Sequence, residues 1–167
     1  MCEGGKYMKK AITSEQLVWI QQDFTSREAL FSFMSQQLYE KGYVNEGYQE
    51  EIISREEKFP TGLVLENYNV GIPHCDSQYV KKDFIAIVIL SNYIQMNQMD
   101  KPDNEIPVKY LFFLGLQDAN NHLKILKKIM KVIKSEQLIH RAENSQSVKE
   151  ISELLKIEIE LEEKVYE

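Results

Sequence analysis

Residues 84–90 read FIAIVIL, an uninterrupted apolar run rich in Ile and Val. A strand covered on both faces of a sheet has this composition, whereas a half-exposed strand alternates apolar and polar residues. A second such run, VKYLFFLGL, occupies residues 108–116. The polar sequence between them contains Pro102 and Pro107, which predicts a surface loop over residues 91–107. We therefore expect two buried strands, with residues 84–90 in the middle of the sheet.

A helix is predicted on the N-terminal side of this core. Thr25 and Glu28 form a capping box, a combination that is typical of a helix start. Gly42 is placed for a left-handed cap at the other end, because glycine adopts that conformation without steric cost. These signals predict a helix over roughly residues 26–41.

A second helix and two more strands are predicted nearby. The helix opens near Asn45 and ends near Phe59, because Pro60 cannot continue it. Residues 17–20, LVWI, form a short apolar run that is consistent with a buried strand. Residues 70–74, VGIPH, predict a strand that stops at its histidine.

The sequence after residue 116 predicts three further helices. The first starts at Asn120 or Asn121, a second follows Ser135, and a third runs from Ser147 along the acidic tail to Glu167. The apolar residues expected to face the core from the first of them are Leu123, Leu126, Ile129, Met130 and Ile133.

Strands that alternate with helices in this order predict an α/β or α+β sandwich, in which helices cover a mostly buried sheet. The chain of 167 residues fits one domain. Residues 1–14 show no periodicity and are predicted to be a flexible leader, so the domain is expected to span residues 15–167.

Composition limits the classes of function. A net charge of -6 argues against nucleic acid as a partner, since phosphate neutralisation needs an excess of Lys and Arg. The longest apolar run is too short for a membrane helix, and the first residues contain no apolar signal region, so a cytoplasmic location is expected. Cys2 and Cys75 form no CxxC pair and predict neither a disulfide framework nor a zinc site.

Among the three histidines, His74 follows Pro73 at the predicted end of a strand, where ligands often bind. The spacing alone leaves open an ordinary surface histidine. The run His74, Cys75 and Asp76 is a poor metal site, because adjacent residues seldom point at one ion. Adjacency is also the wrong geometry for the nucleophile and base of a cysteine protease.

Two segments carry a family resemblance. Residues 55–63 read REEKFPTGL and residues 72–75 read IPHC. Together they resemble the signature of the fructose and mannitol class of IIA domains of the sugar phosphotransferase system, and REEKFPTGLVLEN followed by GIPHCD is most similar to the galactitol branch. The resemblance extends over nearly the whole chain and implies a single-domain sandwich with a central mixed β-sheet flanked by helices.

The resemblance also implies a function. His74 would accept a phosphoryl group from the phosphocarrier protein HPr and pass it to a cysteine of a IIB component that serves a membrane IIC component. Arg55 matches the family arginine, whose guanidinium fork suits phosphoryl oxygens, although without the motif a helix-end charge or an ordinary surface ion pair would also explain it. His122 stands where mannitol-type members have a second active-site histidine. No cofactor or metal is expected.

Other interpretations stay open at this stage. Thr61 is expected either to donate its hydroxyl near the site or to form a turn with Gly62. Phe59, Leu63 and Ile72 are expected to form an apolar docking collar around His74. Similar domains also act as regulatory modules, whose histidine phosphorylation controls binding to another protein. A plain interaction domain is disfavoured because Arg55 and His74 are both present.

Overall fold

The computed structural model describes residues 6–10, 12–156 and 161–165. Two single 3-10 turns, Glu15–Leu17 and Ser77–Tyr79, accompany the regular elements. Those elements are, in chain order, β1 (Lys6–Lys10), β2 (Val18–Gln22), α1 (Arg27–Glu40), α2 (Tyr48–Lys58), β3 (Gly62–Val64), β4 (Asn69–Gly71), β5 (Phe84–Asn97), β6 (Glu105–Gly115), α3 (Ala119–Lys134), α4 (Glu136–Asn144), α5 (Val148–Lys156) and β7 (Leu161–Val165).

A mixed sheet of five strands forms the centre of the fold, in the order β2-β5-β6-β4-β3. The pairs β2 with β5 and β4 with β6 are parallel, whereas β5 with β6 and β3 with β4 are antiparallel. The predicted α/β sandwich with a mixed sheet is therefore confirmed. Its middle strand is β6, so the prediction that residues 84–90 occupy the middle was wrong by one strand.

Each face of the sheet is covered by helices, which explains the uninterrupted apolar runs. Alternate residues of β5 point to opposite faces: Ile85 and Ile87 pack with residues of α3, α4 and α5, whereas Ala86 and Val88 pack with residues of α1 and α2. All four side chains are buried. A strand between two helical layers can place no polar residue on either face without a buried partner.

The hairpin of β5 and β6 is longer than the sequence analysis predicts. β5 continues to Asn97 and β6 begins at Glu105, so most of the predicted loop over residues 91–107 is strand. Beyond Leu90 the pattern of β5 changes: Ile94 and Met96 are buried while Tyr93 and Gln95 are exposed. This alternation marks a half-exposed strand, and it was mistaken for the polarity of a loop.

The ends of α1, α2 and α3 that the sequence signals mark lie within three residues of the predicted positions. Gly42 has a φ of 82° after α1, which confirms the left-handed cap. The start of α1 is capped by Ser26, whose hydroxyl accepts a hydrogen bond from the Ala29 amide, and not by Thr25. α3 is capped by Asp118 rather than by Asn120 or Asn121. Asp and Asn are both favoured N-cap residues, so residues 118–121 offer three candidate caps and the local sequence does not choose among them.

The two ends of the chain differ most from prediction. Within the leader predicted over residues 1–14, Lys6–Lys10 forms β1 and pairs antiparallel with β7, and Ile12 is buried, while residues 1–5 and 11 lie outside the described residues. The long helix predicted from Ser147 to Glu167 ends at Lys156 as α5. Residues 157–160 lie outside the described residues, and Leu161–Val165 forms the strand β7 where the sequence analysis expects helix. None of the helices in the described ranges is long and apolar enough to cross a bilayer.

Candidate active site

His74 lies just beyond the end of β4, on an extension of that strand along β6. The Leu114 amide donates a hydrogen bond of 3.0 Å to the Pro73 carbonyl, and His74 forms an isolated parallel bridge with Leu114. The backbone before the ring is therefore held by the middle strand of the sheet. Pro73 restricts the preceding backbone further, because its φ is fixed. The sequence prediction that a strand stops at this histidine agrees with the structure.

The His74 ring has a defined tautomer. Its Nδ1 lies 2.8 Å from the carbonyl oxygen of Ile72, two residues earlier. A carbonyl can only accept, so Nδ1 carries the proton and Nε2 keeps its lone pair. Burial lowers the pKa of His74 from its ordinary value; the Ile72 contact and Asp76 oppose this effect, and His122 and Arg55 add to it. The ring is neutral near pH 7 and presents Nε2 as a nucleophile.

His122 is brought to the same site from a different element, the first turn of α3. The centroids of its ring and the His74 ring lie 5.4 Å apart, with an angle of 55° between the planes. Burial lowers the pKa of His122, and the charge of Arg55 lowers it further. Two imidazoles, each with a lowered pKa that favours the neutral form, therefore stand together.

The start of α3 offers fewer free donors than a helix N-terminus usually does. The Asn120 amide donates to the Asp118 carboxylate at 2.9 Å, and the Asn121 amide donates to the Asp118 carbonyl at 3.1 Å. These groups are already paired next to a negative charge. The imidazole of His122 is thus a better candidate ligand for an anion than the helix end itself.

Arg55 lies in the last turn of α2, and its charge reaches both histidines. Its Nη1 is 3.0 Å from Oδ1 of Asp76, and its guanidinium stands 5.7 Å from the centroid of the Phe59 ring. The side chain is 32% exposed, so solvent and ligands can reach it. The surface ion pair that the sequence analysis considers for Arg55 is therefore present, and its partner is Asp76, two residues after His74.

Thr61 is in a different situation from the one expected of a donor at the site. Its hydroxyl lies 2.9 Å from Oε2 and 3.1 Å from Oε1 of Glu56, and its amide donates to Oε1 at 2.9 Å. Thr61 is 3% exposed. Its hydroxyl proton is used inside the turn after α2, so its other predicted role, turn formation, describes it better.

Glu56 is a residue that the sequence analysis missed. It is 2% exposed, and burial raises its pKa to about 7, although the bonds from Thr61 and the charge of Arg27 oppose that rise. Tyr48, Ile52 and Glu56 follow one another at intervals of four and are all buried in α2. This spacing continues an apolar stripe and was the available signal that the glutamate points inward.

Cys75 follows His74 but takes no part in an exposed reactive site. It is 8% exposed, and burial, with help from the carboxylates of Glu51 and Asp76, raises the pKa of its thiol to about 12. A thiol in that state is a poor nucleophile, which argues against a cysteine protease. Within the described residues, no group of three or more His, Cys, Asp or Glu side chains could hold a metal ion.

The apolar collar predicted around His74 is only partly present. Ile72 is 4% exposed and belongs to the core, so its inclusion was wrong. Phe59 is 65% exposed, and Leu123, which was expected to face the core, is 62% exposed beside His122 in the sequence. Among the exposed large apolar side chains, Phe59 lies against Arg55 and Leu123 follows His122, so a docking partner at the site could cover both.

A cavity of about 640 Å³ lies elsewhere, between the turn that joins β3 to β4, the strand β6 and the helix α4. His140 lines it, together with Lys109 and Glu143, which form an ion pair of 2.7 Å. None of the four predicted site residues contributes to its wall. His74, which is half-buried, therefore lies outside this cavity.

The chain is similar to several known proteins. It is 29% identical over 104 residues to the galactitol-specific EIIA component of Escherichia coli K12, which covers 62% of this chain and 69% of that protein. It is 30% identical over 83 residues to the transcriptional regulator ManR of Bacillus subtilis, covering 50% of this chain but 12% of ManR. The crystal structure of the mannitol IIA of Escherichia coli superposes with a TM-score of 0.66 at 19% identity, covering 84% of this chain and 96% of that one.

The likeness to the mannitol protein is one of fold, since the identity is low. The match to the family model is broader, because it covers residues 11–157, from the segment before β2 to the end of α5. That family is described as the phosphoenolpyruvate-dependent sugar phosphotransferase system, EIIA 2. The chain is a member of this EIIA family, and so a component of the phosphotransferase system.

Proposed function

We propose that the protein is a phosphocarrier in which Nε2 of His74 accepts a phosphoryl group from the phosphohistidine of HPr and passes it to a cysteine of a IIB component. The observation that carries this proposal is the contact of 2.8 Å between His74 Nδ1 and the Ile72 carbonyl. It leaves Nε2 unprotonated, and a lone pair on one ring nitrogen is what a phosphoryl acceptor needs.

Bonds and charges balance in this phosphoryl transfer without the movement of any proton. As the bond between His74 Nε2 and phosphorus forms, the bond between the donor imidazole nitrogen and phosphorus breaks, and the donor keeps its other N–H. His74 likewise keeps its proton on Nδ1. In the second step a cysteine thiolate attacks phosphorus, and the electron pair of the broken bond returns to Nε2. Neither half of the relay requires a general acid or base in this chain.

The protein's task is then to position the ring and to stabilise charge on the phosphoryl oxygens. Arg55 is the cation available for this, and its fork can bind two oxygens together. The imidazole of His122, whose ring centroid is 5.4 Å from that of His74, is a second candidate ligand for the phosphoryl group. Phe59 and Leu123, both exposed, would exclude water from the transferring group once a partner covers them.

The similarity to the galactitol-specific relative supports uptake of a galactitol-like polyol as the process served. The sugar itself would bind the membrane IIC component, so no residue of this chain would select it. If the protein serves such an uptake system, its downstream partners are the IIB and IIC components of that system.

The test is intact-mass measurement after incubation with phosphoenolpyruvate, enzyme I and HPr. Wild type is expected to gain one acid-labile phosphoryl group, His74→Ala none, and His140→Ala the wild-type amount. His140 is a matched control because it belongs to α4 and lines the separate cavity. Absence of any gain from cognate, charged HPr would overturn the proposal, as would an equal gain in His74→Ala.

A regulatory role is the second candidate, favoured by the similarity to a segment of ManR. The same histidine would then be phosphorylated, but the phosphoryl group would change binding to another protein and would not move on to IIB. Addition of cognate IIB separates the two roles: a carrier loses its phosphoryl group within the mixing time, whereas a regulatory module keeps it.

A further inference from the structure

We propose that Glu56 is a positioning residue that fixes the tautomer and orientation of the His74 ring through hydrogen bonds that cross Thr61 and Ile72. The inference rests on the proposed phosphocarrier role of His74 and adds to it a residue that never touches the phosphoryl group. It follows from three consecutive contacts, each between named atoms.

The first contact joins Glu56 to Thr61. The carboxylate accepts from both the amide and the hydroxyl of Thr61, with the closest approach 2.9 Å. Both residues are almost fully buried. A bidentate clamp of this kind fixes the peptide of Thr61 relative to the last turn of α2, the turn that also carries Arg55.

The second and third contacts lead on to His74. The Ile72 amide donates to the Thr61 carbonyl at 3.3 Å, and the Ile72 carbonyl accepts from His74 Nδ1 at 2.8 Å. Ile72 is thus held on one side by the turn and orients its own carbonyl toward the ring. The clamp on Thr61 thereby sets where the acceptor for the Nδ1 proton lies.

A buried carboxylate is a costly way to fix a turn. An apolar residue at position 56 would continue the stripe of Tyr48 and Ile52, but it would leave the amide and hydroxyl of Thr61 unpaired in a dry environment. The other side of the turn is held independently, because the Met99 amide donates to the Gly62 carbonyl at 2.8 Å. Glu56 is therefore what aligns the half of the turn that faces Ile72.

The experiment measures the His74 tautomer directly, by long-range ¹H–¹⁵N correlation of the unphosphorylated protein at about pH 8, where Glu56 is mostly ionised. Wild type is expected to show Nδ1–H and a bare Nε2. In Glu56→Gln one carboxylate oxygen becomes an NH2 group, which cannot accept from the Thr61 hydroxyl, and the remaining oxygen carries no charge, so the share of this tautomer should fall. Glu57→Gln is the matched control, since it removes the same charge from the neighbouring, exposed position of the same helix.

A second readout is the rate at which phosphoramidate, a small-molecule donor, phosphorylates His74. We expect Glu56→Gln to be slower by about twofold to tenfold, the range for weakening one hydrogen bond, and Glu57→Gln to be unchanged. Thr61→Val should also be slower, while Thr61→Ser, which keeps both donors, should restore the wild-type rate. If circular dichroism shows that Glu56→Gln does not fold, the comparison of Thr61→Val with Thr61→Ser tests the proposal instead.

The proposal is overturned if folded Glu56→Gln keeps the wild-type tautomer and rate, or if Thr61→Val and Thr61→Ser behave alike. These outcomes are separate from a failure of the phosphocarrier role. That failure would appear as no transfer from charged HPr to the wild-type protein, whatever tautomer His74 has.

Discussion

Arg55 Nη1 lies 3.0 Å from Asp76 Oδ1. The arginine that we propose to bind the phosphoryl group is therefore already paired with a carboxylate two residues after His74. The Asp76 side chain is 61% exposed, and ion pairs this open contribute little stability. A phosphoryl group on Nε2 carries up to two negative charges and would compete well for the guanidinium. We expect this ion pair to form in the unphosphorylated protein and to break when His74 is phosphorylated.

Removal of the competing carboxylate should therefore favour phosphorylation. In Asp76→Asn we expect the rate with phosphoramidate to rise by about twofold to fivefold, because Arg55 is released and a repelling charge is lost. Asp103→Asn removes an exposed carboxylate from the hairpin of β5 and β6 and should leave the rate unchanged. A slower Asp76→Asn would mean that Asp76 helps to position Arg55.

Replacement of Arg55 should reduce phosphorylation even when the charge is kept. We expect Arg55→Lys to slow transfer from HPr by at least about tenfold, because an ammonium cannot bind two oxygens in one plane. Lys58→Arg, at the end of the same helix, is the control for a change between the two cations. A wild-type rate in Arg55→Lys would show that Arg55 acts only through its positive charge and not by binding two phosphoryl oxygens together.

Loss of the second imidazole should raise the pKa of His74. Burial is the main cause of its lowered pKa and His122 adds to it, so His122→Ala relieves both effects in the same direction. The measurement is an NMR titration of the His74 ring, with His140→Ala as the control that should show no change. A pKa that stays fixed or falls in His122→Ala would contradict the electrostatic contact between the rings.

The burial of Glu56 predicts a pH-dependent difference in stability. Its pKa is about 7 in the folded protein against 4.5 for an ordinary glutamate, so between these values the folded state binds the proton more tightly. The free energy of unfolding contributed by this group is therefore largest below pH 4.5 and decreases as pH rises toward 7, by about 3 kcal/mol over the whole window.

Glu56→Gln lacks this titration. Relative to wild type, its free energy of unfolding should increase as pH rises from 4.5 toward 7, which urea denaturation at several pH values would measure. Glu57→Gln should follow wild type at every pH. A difference between Glu56→Gln and wild type that does not vary with pH would show that the folded carboxyl titrates normally.

The parts of the fold that the sequence predicts well are those in which local chemistry and burial agree. The run at residues 84–90 is buried on both faces, and Gly42 adopts the positive φ that its position after α1 requires. The end of the chain is less predictable. Residues 157–161 alternate Ile or Leu with Glu, yet their acidic, helix-forming glutamates suggested a longer helix. The pairing of β7 with β1, distant in sequence, is information that no local window contains.

The site shows the same division. His74 is singled out by its place in the chain, but its expected role, like the roles of His122 and Arg55, comes from the family resemblance. Glu56 is harder to recognise, because a glutamate between Arg55 and Glu57 looks like part of a solvated helix face, and only its spacing of four after Ile52 indicates that it points inward. Its role depends on the turn folding back so that Thr61 meets it. Leu123 is the reverse case, since helical periodicity places it inward while the structure leaves it 62% exposed.

The state of Cys75 has a consequence for oxidative stress. Peroxides attack thiolates, and a thiol whose pKa is raised to about 12 by burial and by nearby carboxylates supplies almost none. We therefore expect Cys75, the residue next to His74, to be protected from sulfenic acid formation and from glutathione adducts. The surroundings of His74 should keep their shape in an oxidising cell, without the need for a repair enzyme.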